Sequence, residues 1–546
     1  MKKIYLDIME KTLSAYTPDR IREYIQTVRT EGLTEHGFAR LGANIGILLA
    51  YGRRPELFNT FVEIMDICCE QMPRVKAAND FSIREVCCCL MLMEEKKLLP
   101  ASLLEKWKAQ LSAFDPWHFY DDVDDKSGRV VHNWALFAAV SEYVRGKYCG
   151  IDTSAFVDWQ LPSQIRNLDA NDMYKDGSPH KNPMVYDLVP RLLFAFLLRF
   201  GYDGQYKDRL VAVLDRTTDI TLKLQSVTGE TPFGGRSNQF LNNEPMLSSY
   251  FELEAIRHFE MGDTEKAEEC KAAAALALQN VSYYLTFDPI SHVKNRFDPN
   301  DMIGCEAYGY FNKYMITLAS NLYMGALFAN ENIPTGKLKN KETPYIFSTT
   351  DEFNKTVLCA GGYFLEFDTD ANLQYDANGL GRVQRAGCCP VVCLAVPFPG
   401  MKHPTDRFHF GYKLEKPNPA PMALGCEGGA EVPYTLLDSR VGEKSVEATF
   451  SCEKGTESYF VSADGVDITY GQAGFMLPVF DFDGERHTEM QIEQNRITVA
   501  YQNSLCIYTF DGSTGDFSLY SNRNGRYRVY RIDGKKLHIE IKETGK

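Results

Sequence analysis

Long apolar runs are missing from this 546-residue sequence. No stretch reaches about 18 consecutive apolar residues, the length that a helix needs to cross a bilayer, so we predict no membrane span. The N-terminal segment also lacks the uninterrupted apolar core of a secretory signal, because Asp7, Glu10 and Lys11 interrupt it. We therefore expect a cytoplasmic protein, or a periplasmic one if a leader precedes residue 1.

Positive charge is also scarce. The chain has 59 Lys and Arg residues against 73 Asp and Glu residues, which gives a net charge of −14. Nucleic acids and anionic membranes are bound by basic surfaces, so the composition argues against both as partners. It still allows an acidic small substrate, because a local cluster of Arg, Lys and His can reverse the field inside a cleft.

The sequence has no CxxC pair, the usual signature of a zinc ribbon. Its 15 cysteines are odd in number, and several are adjacent, at 68–69, 87–89 and 388–389. Cysteines within an apolar run such as VCCCLMLM behave as small hydrophobic residues. The pattern predicts free thiols and a reducing compartment.

The chain lacks any evident fixed-length repeat, which argues against a solenoid. Instead, apolar residues recur at helical spacing over the first 330 or so residues, as in YKDRLVAVLDRTTDITLKLQ. Several of these helices are apolar on more than one face, which is typical of helices inside a larger helical assembly. We predict an (α/α) toroid of about a dozen antiparallel helices over residues 1–335.

The composition changes near Pro334, where the polar stretch ENIPTGKLKNKETP has the character of a linker. Short segments of alternating apolar and polar residues follow it, such as GYFLEFDTD and RYRVYRIDGKKLHIEIKE. The Asp533-Gly534 step is a strong signal for a tight turn between strands. The sequence predicts an antiparallel β-sandwich over residues 345–546, and hence an α+β multidomain fold with a ligand cleft between the domains.

A polar loop, YKDGSPHKNPMVY at residues 174–186, leads directly into the apolar helix DLVPRLLFAFLLRFGY. Its Asp-Gly-Ser triplet at 176–178, followed by Pro183 and Tyr186, resembles the tyrosine motif of the heparinase II/III-like polysaccharide lyases. The residue after the tyrosine, often histidine in that family, is Asp187 here.

A second segment, VVHNWALFAAVSEYVRG, resembles the Asn-His helix of the same family. Asn133 stands at the position of the family's asparagine, whereas Trp134 replaces the histidine and His132 precedes the asparagine. A helical toroid followed by a β-sandwich is also the architecture of that family. The resemblance therefore covers most of the chain.

The resemblance implies a carbon–oxygen lyase that cleaves uronic-acid-containing oligosaccharides by β-elimination. Such a reaction removes the proton at C5 of the uronate and expels the oxygen at C4. It needs donors that neutralise the carboxylate, a base and an acid. Because a cytosolic enzyme would meet short imported oligosaccharides, we expect exo action on glucuronate-type substrates.

Five residues are the candidates for this chemistry. The resemblance assigns neutralisation of the carboxylate to Asn133, and Arg236 in the glycine-rich TPFGGRSNQF is a second donor. Tyr186 is the predicted base, acid or both. His132, and His403 from the β domain, are the candidates for a second proton-transfer group.

Further residues are expected to contact the sugars. They are His180 and Asn238 in the two loops, Trp134, the tyrosines Tyr308, Tyr310 and Tyr314 at the head of the last ring helix, and His409. Together with Lys175 and Lys181, His180 would also supply positive charge that favours a tyrosinate at position 186. Core packing and helix capping are the alternative roles for these side chains.

No cofactor is expected to be required for the chemistry. Members of the family often carry a structural metal in the β domain, but the sequence does not identify its ligands, and the acidic loop YDDVDDKSGR lacks the glycine turn of an EF-hand. Two other functions are compatible with the sequence. One is a glycoside hydrolase on a helical toroid, of the unsaturated-glucuronide type, with Asp172 and Asp176 as its paired carboxylates. The other is a non-catalytic glycan-binding protein.

Overall fold

The computed structural model describes residues 1–177, 180–306, 308–373, 375–393 and 424–545. Within these ranges, α-helices occupy the first 342 residues and β-strands follow them. The helices are α1 (Lys2–Leu13), α2 (Pro18–Glu31), α3 (Gly37–Ala50), α4 (Phe58–Gln71), α5 (Asn79–Glu95), α6 (Ala101–Ser112), α7 (Pro116–Phe119), α8 (Asn133–Cys149), α9 (Ser154–Arg166), α10 (Met184–Arg199), α11 (Lys207–Leu224), α12 (Asn243–Glu260), α13 (Thr264–Tyr284), α14 (Phe311–Phe328) and α15 (Lys339–Glu342). None of them, over the described part of the chain, is long and apolar enough to cross a membrane.

Six helices form a closed inner ring. Helices α3, α5, α8, α10, α12 and α14 pack side by side in this order, and α14 packs against α3 to close the ring. Outer helices cover them, with α4 on α3, α9 on α8, α11 on α10, α13 on α12 and α1 on α14. The inner helices have neighbours on several sides, and α3 is accordingly buried over its whole length. The predicted (α/α) toroid is confirmed.

Two glycines allow α3 to fit between its neighbours. A Cβ atom at Gly42 would lie 2.6 Å from the Ile64 side chain of α4. A Cβ atom at Gly46 would lie 2.3 Å from Cys89 on α5 and 2.4 Å from the Phe61 ring on α4. Helix propensity disfavours glycine at these interior positions, so close helix packing accounts for both residues.

The C-terminal part consists of 16 strands in the described ranges, and all of their pairings are antiparallel. They are β1 (Tyr345–Ser348), β2 (Lys355–Ala360), β3 (Tyr363–Asp368), β4 (Gly379–Arg385), β5 (Gly425–Cys426), β6 (Thr435–Val441), β7 (Val446–Cys452), β8 (Gly455–Ser462), β9 (Gly465–Tyr470), β10 (Phe475–Phe482), β11 (Glu489–Glu493), β12 (Arg496–Tyr501), β13 (Ser504–Phe510), β14 (Thr514–Asn522), β15 (Gly525–Ile532) and β16 (Lys536–Glu543).

These strands form three sheets. One contains β1-β2-β3-β4, another contains β14-β15-β10-β5, and the largest has the order β11-β12-β13-β16-β9-β8-β7-β6. The first sheet packs face to face on the largest one. In this interface the Phe367 ring stacks on Phe450 with centroids 3.9 Å apart, and it meets Tyr459 edge-on. The predicted antiparallel β-sandwich is confirmed.

The opposite face of the first sheet packs against the toroid. Val357, Cys359 and Phe364 share one apolar cluster with Ile220 and Leu224 of α11. Strands β2–β4 of the first sheet are therefore buried on both faces, and this sheet joins the two domains.

The polar residues of β3 lie in the same interface. Glu366 and Asp368 are buried, and each has a cationic partner, because Arg382 lies 3.6 Å from Glu366 and Lys355 pairs with Asp368. Arg382 also donates a hydrogen bond to the Thr231 carbonyl oxygen of the toroid, at 2.8 Å. A buried charge is tolerated when it is paired in this way.

We expect Phe367→Ala to destabilise the protein by about 3–5 kcal/mol, the range for removal of a buried aromatic ring. Phe367 is 1% exposed and packs on three other rings, those of Tyr434, Phe450 and Tyr459. Chemical denaturation measures the change. Phe460 on β8 is 39% exposed, so Phe460→Ala is the control and should change the free energy of unfolding by about 0.5 kcal/mol or less. Equal losses of unfolding free energy in the two variants would contradict the packing of Phe367 between the sheets.

Candidate active site

The inner ring encloses a cavity of about 550 Å³. All six inner helices contribute lining residues, which lie in their N-terminal turns except for Asn321 in the middle of α14. These residues are His36 and Arg40 at the start of α3, Phe81 of α5, Asn133, Trp134 and Phe137 of α8, Val185, Tyr186 and Val189 of α10, Asn243 and Met246 of α12, and Lys313, Tyr314, Thr317 and Asn321 of α14.

This convergence of helix N-termini determines the electrostatics of the cavity. A helix N-terminus presents unsatisfied N–H groups and a partial charge of roughly +0.5. Six of them around one opening favour an anionic ligand, although the whole chain has a net charge of −14. This arrangement favours the local positive region that the composition allows in an acidic chain.

Loops between the helices complete the lining. They contribute Asp122, His132, Asp176, Arg236, Ser237, Phe240, Asn242 and Tyr308. Among the described residues, every lining side chain belongs to the helical domain, whereas the sequence predicted a cleft between the two domains. The first sheet packs on the outer helix α11, so its described residues lie beside the cavity.

Asp176 connects Asn133 and Arg236, the two residues predicted to donate hydrogen bonds to the substrate carboxylate. Its Oδ1 atom accepts hydrogen bonds from the backbone N–H of Asn133 at 3.2 Å and from Asn133 Nδ2 at 2.7 Å. Its Oδ2 atom accepts one from Arg236 Nη2 at 2.7 Å. Asp176 thus caps the N-terminus of α8 and holds the amide and the guanidinium together. It begins the Asp-Gly-Ser triplet, but the sequence indicated it only as a candidate hydrolase carboxylate.

Tyr186 lies in a chain of hydroxyl groups. Its hydroxyl is 2.9 Å from Ser237 Oγ, which is 2.6 Å from the Tyr308 hydroxyl. Arg236 Cζ lies 4.7 Å from the centroid of the Tyr186 ring. Tyr186, Arg236 and Tyr308 were predicted to share one site, and the structure brings them together.

Ser237 is a site residue that sequence reasoning missed. It has φ +65°, a left-handed conformation that is rare for serine. Its backbone N–H donates to the Glu306 carboxylate, which holds it in this conformation. The available signal was its position in TPFGGRSNQF, between the predicted residues Arg236 and Asn238.

Burial raises the pKa of Tyr186 above its usual value, although Arg236 acts in the opposite direction. Burial also raises the pKa of Tyr308, and the nearby Tyr186 and Glu306 add to that shift. Both side chains are therefore neutral phenols at neutral pH when the cavity holds no ligand.

The positive residues of the 174–186 loop do not approach Tyr186 as predicted. Lys175 Nζ and His180 Nδ1 each lie 3.6 Å from the Glu352 carboxylate, between β1 and β2. Lys181 Nζ lies 2.7 Å from Asp370, which follows β3. Opposite charges on the β domain attract these side chains away from the cavity, so the polar loop fastens the toroid to the β domain.

Four other predicted residues line the cavity. His132 Nδ1 lies 3.9 Å from Asp176 Oδ1. Trp134 meets Phe81 edge-on with centroids 4.8 Å apart, and Tyr314 stacks on Phe240 at 4.2 Å. Asn133, at the first position of α8, completes the group.

Several predicted contact residues lie elsewhere. Tyr310 caps α14 and is 60% exposed outside the lining. Asn238 is buried, and its Nδ2 donates to the Pro232 carbonyl oxygen at 2.9 Å, so its side chain stabilises its own loop. His403 and His409 lie outside the described residues.

Asp172, the predicted hydrolase partner of Asp176, does not line the cavity. It pairs with Arg209, and Arg216 lies 3.8 Å away. Within the described ranges, the carboxylates that line the cavity are instead Asp176 and Asp122. Asp122 accepts hydrogen bonds from Arg129 at 2.6 Å and from the His132 backbone N–H at 3.0 Å.

No group of three or more His, Cys, Asp or Glu side chains is arranged to hold a metal ion in the described part of the chain. The ligands of the structural metal that the resemblance implies therefore stay unidentified.

Comparison with known proteins finds similarity in the fold but not in the sequence. Neither a family model nor a curated protein sequence matches this chain. Among solved structures, heparinase III aligns with a TM-score of 0.53 at 10% identity, over 94% of this chain and 78% of that one. The chondroitin lyase ODV-E66, a baculovirus envelope protein, aligns with a TM-score of 0.44 at 8% identity, over 93% and 76% of the two chains. Heparan sulfate lyase HepC from Pedobacter heparinus aligns with a TM-score of 0.32 at 11% identity, over 84% and 75%.

At identities near 10% these likenesses bear on the fold alone, and of the three only heparinase III aligns closely enough to support that statement. The observed helical ring and β-sandwich agree with it. This chain therefore shares the two-domain fold of heparinase III. That fold is the one expected from the resemblance of its tyrosine and asparagine motifs.

Proposed function

We propose that this chain is a lyase that cleaves uronic-acid-containing oligosaccharides by β-elimination. The observation that carries the proposal is a single connected network on the cavity wall. Asp176 links Asn133 to Arg236, and the Arg236 guanidinium lies beside Tyr186, whose hydroxyl bonds to Ser237. The residues proposed to neutralise the carboxylate therefore lie next to the residue proposed as base and acid.

The substrate carboxylate would be neutralised first. Arg236 has five N–H donors, of which Asp176 uses one, and Asn133 Nδ2 has a second hydrogen beyond the one given to Asp176. Donors that are already oriented stabilise the negative charge that develops on the carboxylate as the C5 proton leaves. The ring of helix N-termini adds to this stabilisation.

Tyr186 would then transfer the protons. As a tyrosinate it takes the C5 proton, and the electrons of the C5–H bond form the C4–C5 double bond. The C4–O bond breaks, and the leaving oxygen takes a proton. Tyr186 returns its own proton when the leaving oxygen is on the same face of the sugar, whereas His132 is the proposed donor for the opposite face. Ser237 and Tyr308 form a hydrogen-bonded path away from the phenol.

Short glucuronate-type oligosaccharides are the proposed substrates, with exo action. The cavity volume lies within the range of small-molecule sites, and the aromatic residues Phe81, Trp134 and Phe137 line one part of it. Such rings suit the apolar face of a sugar.

A panel of uronate-containing oligosaccharides tests the proposal. Elimination creates a C4–C5 double bond next to the carboxylate, so we expect new ultraviolet absorbance in step with the release of reducing ends. Tyr186→Phe protein is the control for background absorbance. Cleavage without new absorbance would exclude a lyase.

Glycoside hydrolysis is a second candidate, and one observation favours it. Asp122 and Asp176 both line the cavity, and each lies close to His132, at its backbone N–H and its ring respectively. Hydrolysis uses two carboxyl groups and places an oxygen atom from water in the product. Reaction in isotopically labelled water therefore separates the two functions, because elimination incorporates no label.

The pH profile offers a test of Tyr186 as the base. The raised pKa of Tyr186 means that the tyrosinate fraction grows about tenfold per pH unit below that pKa. We therefore expect kcat/KM to rise continuously between about pH 7 and pH 9. Melting temperatures across the same range serve as the control. A plateau or a fall within it, in a protein that stays folded, would contradict the assignment.

We expect chelation with EDTA to leave turnover largely unchanged, because Asn133 and Arg236 are proposed to neutralise the carboxylate. Activity and melting temperature are measured on the same treated sample. Loss of activity in a folded sample, restored by calcium, would show that a metal performs the neutralisation.

A further inference from the structure

The charged groups that line the cavity are paired, with one exception. Arg236 pairs with Asp176, Asp122 pairs with Arg129, and Arg40 on α3 lies 3.0 Å from Glu85 of α5. Lys313, on the first turn of α14, also lines the cavity. Among the described residues, no carboxylate lies within 4.0 Å of its ammonium group. Burial lowers the pKa of Lys313, Glu35 acts in the opposite direction, and Arg40 adds to the lowering.

His36 lies next to this lysine. It is 5% exposed, lines the cavity, and its Nδ1 atom is buried without a hydrogen-bond partner. The start of α3 abuts the start of α14, because a Cβ atom at Gly37 would lie 3.0 Å from Lys313 Cα. A buried polar atom without a partner is costly, so the His36 ring has unused hydrogen-bonding capacity at the cavity wall beside Lys313.

We propose that Lys313 and His36 form a second anion subsite in the cavity, which binds an acidic group, a sulfate ester or a carboxylate, on the sugar next to the reacting uronate. This inference rests on the proposed function. Lys313 supplies the charge and His36 supplies a ring N–H donor. Arg40 also lines the cavity, but Glu85 and the Thr317 hydroxyl occupy its guanidinium, so among the described residues of this subsite Lys313 is the cation left for a ligand.

The position of the subsite separates it from the reacting centre. Lys313 Nζ lies 5.9 Å from the centroid of the Tyr314 ring, and that ring lies 5.9 Å from the Tyr308 ring. Tyr308 is linked to Tyr186 through Ser237. Tyr186 thus contacts Ser237 and Arg236, and Lys313 contacts Tyr314. The proposed subsite would therefore receive a group on a neighbouring sugar while the uronate occupies Asn133 and Arg236.

The test is calorimetric binding in a Tyr186→Phe background, which prevents cleavage during the measurement. The reference probe is a tetrasaccharide of alternating glucuronate and N-acetylglucosamine. The second probe carries one sulfate ester on each glucosamine, and the third is a tetrasaccharide of glucuronate alone. We expect the sulfated or the all-uronate probe to bind about tenfold more tightly than the reference, because a charge-assisted pair forms.

Lys313→Met should reduce this affinity ratio to about one, whereas Lys313→Arg should retain most of it. His36→Phe keeps a ring against Phe81 and should also reduce the ratio. The matched control is Lys337→Met, because Lys337 is 80% exposed outside the cavity lining, and its ratio should equal that of the parent. The ratio in the parent should fall as salt is added.

The outcomes separate the subsite from the proposed function. Equal affinity for the three probes in the parent protein would overturn the subsite, whether or not the wild-type protein forms an unsaturated product. An affinity ratio that Lys313→Met leaves unchanged would also overturn it. If no probe binds and no unsaturated product forms, the proposed function fails, and inorganic sulfate becomes the probe. A sulfate-dependent rise in melting temperature that Lys313→Met abolishes would then support the subsite, and equal responses would overturn it.

Discussion

Tyr186→Phe should lower turnover of a uronate-containing oligosaccharide by about 10⁴-fold or more. General acid–base catalysis by one group contributes about 10²–10⁴-fold, and Tyr186 is proposed to serve both proton transfers. The substitution keeps the ring against Arg236 and removes only the hydroxyl that contacts Ser237. The melting temperature should hardly change, and substrate should still bind. Steady-state kinetics by ultraviolet absorbance, with calorimetry for binding, make the measurement.

Tyr310→Phe is the matched control for this variant. Tyr310 lies outside the cavity lining and is largely exposed, so its hydroxyl should be dispensable. A Tyr186→Phe protein with more than about a tenth of wild-type turnover would remove the assignment of Tyr186, since even the lower end of general acid–base catalysis is about a hundredfold. Most of the argument for elimination would go with it.

Asn133→Ala should lower kcat by about 10²–10³-fold, the effect of removing one oriented donor from a developing negative charge. The backbone N–H of residue 133 would still cap against Asp176, so we expect only a small fall in melting temperature. Kinetics and thermal unfolding of the same preparation distinguish the two effects.

Asn182 provides the control for Asn133. Its Oδ1 accepts a hydrogen bond from the Asp176 backbone N–H at 3.1 Å, but it lies outside the cavity lining. Asn182→Ala should therefore lower stability by about 1 kcal/mol and change kcat much less than Asn133→Ala does. If Asn133→Ala instead melts many degrees lower and keeps its specific activity, Asn133 is a structural residue.

The fold was largely predictable because local sequence determines its elements. The apolar spacing in YKDRLVAVLDRTTDITLKLQ predicts a helix where α11 spans Lys207–Leu224. The segment GYFLEFDTD predicts a strand where β3 spans Tyr363–Asp368. Which helices form the inner ring was not predictable, because it depends on contacts between distant segments, such as α3 with α14.

The sequence predicted the candidate site residues that belong to a motif. It did not predict the ion-pair partners of the charged residues in the 174–186 loop. The motifs put Asn133 and Tyr186 in one site, and the structure connects them through Asp176 and Arg236, a link that the sequence did not predict. Lys181 is only five positions from Tyr186 in sequence, yet it pairs with Asp370 on the other domain. Proximity along the chain therefore gave the wrong partner.

Lys313 illustrates a further limit of the sequence. A single lysine in FNKYM has no local signal, since lysines on helices are usually solvated. Its lack of a carboxylate partner among the described residues emerges only when α14 closes the ring beside α3.

The first sheet, whose strands β2–β4 are buried on both faces, has a consequence for how this chain can be divided. A fragment that ends at the linker would leave Ile220 and Leu224 without their cover, and a fragment that begins there would uncover Val357 and Phe364. The boundary between helical and strand-rich sequence is therefore not a boundary between independent modules. An exchange of β domains between two such proteins, by recombination or by design, would have to carry the matching face of α11 with it.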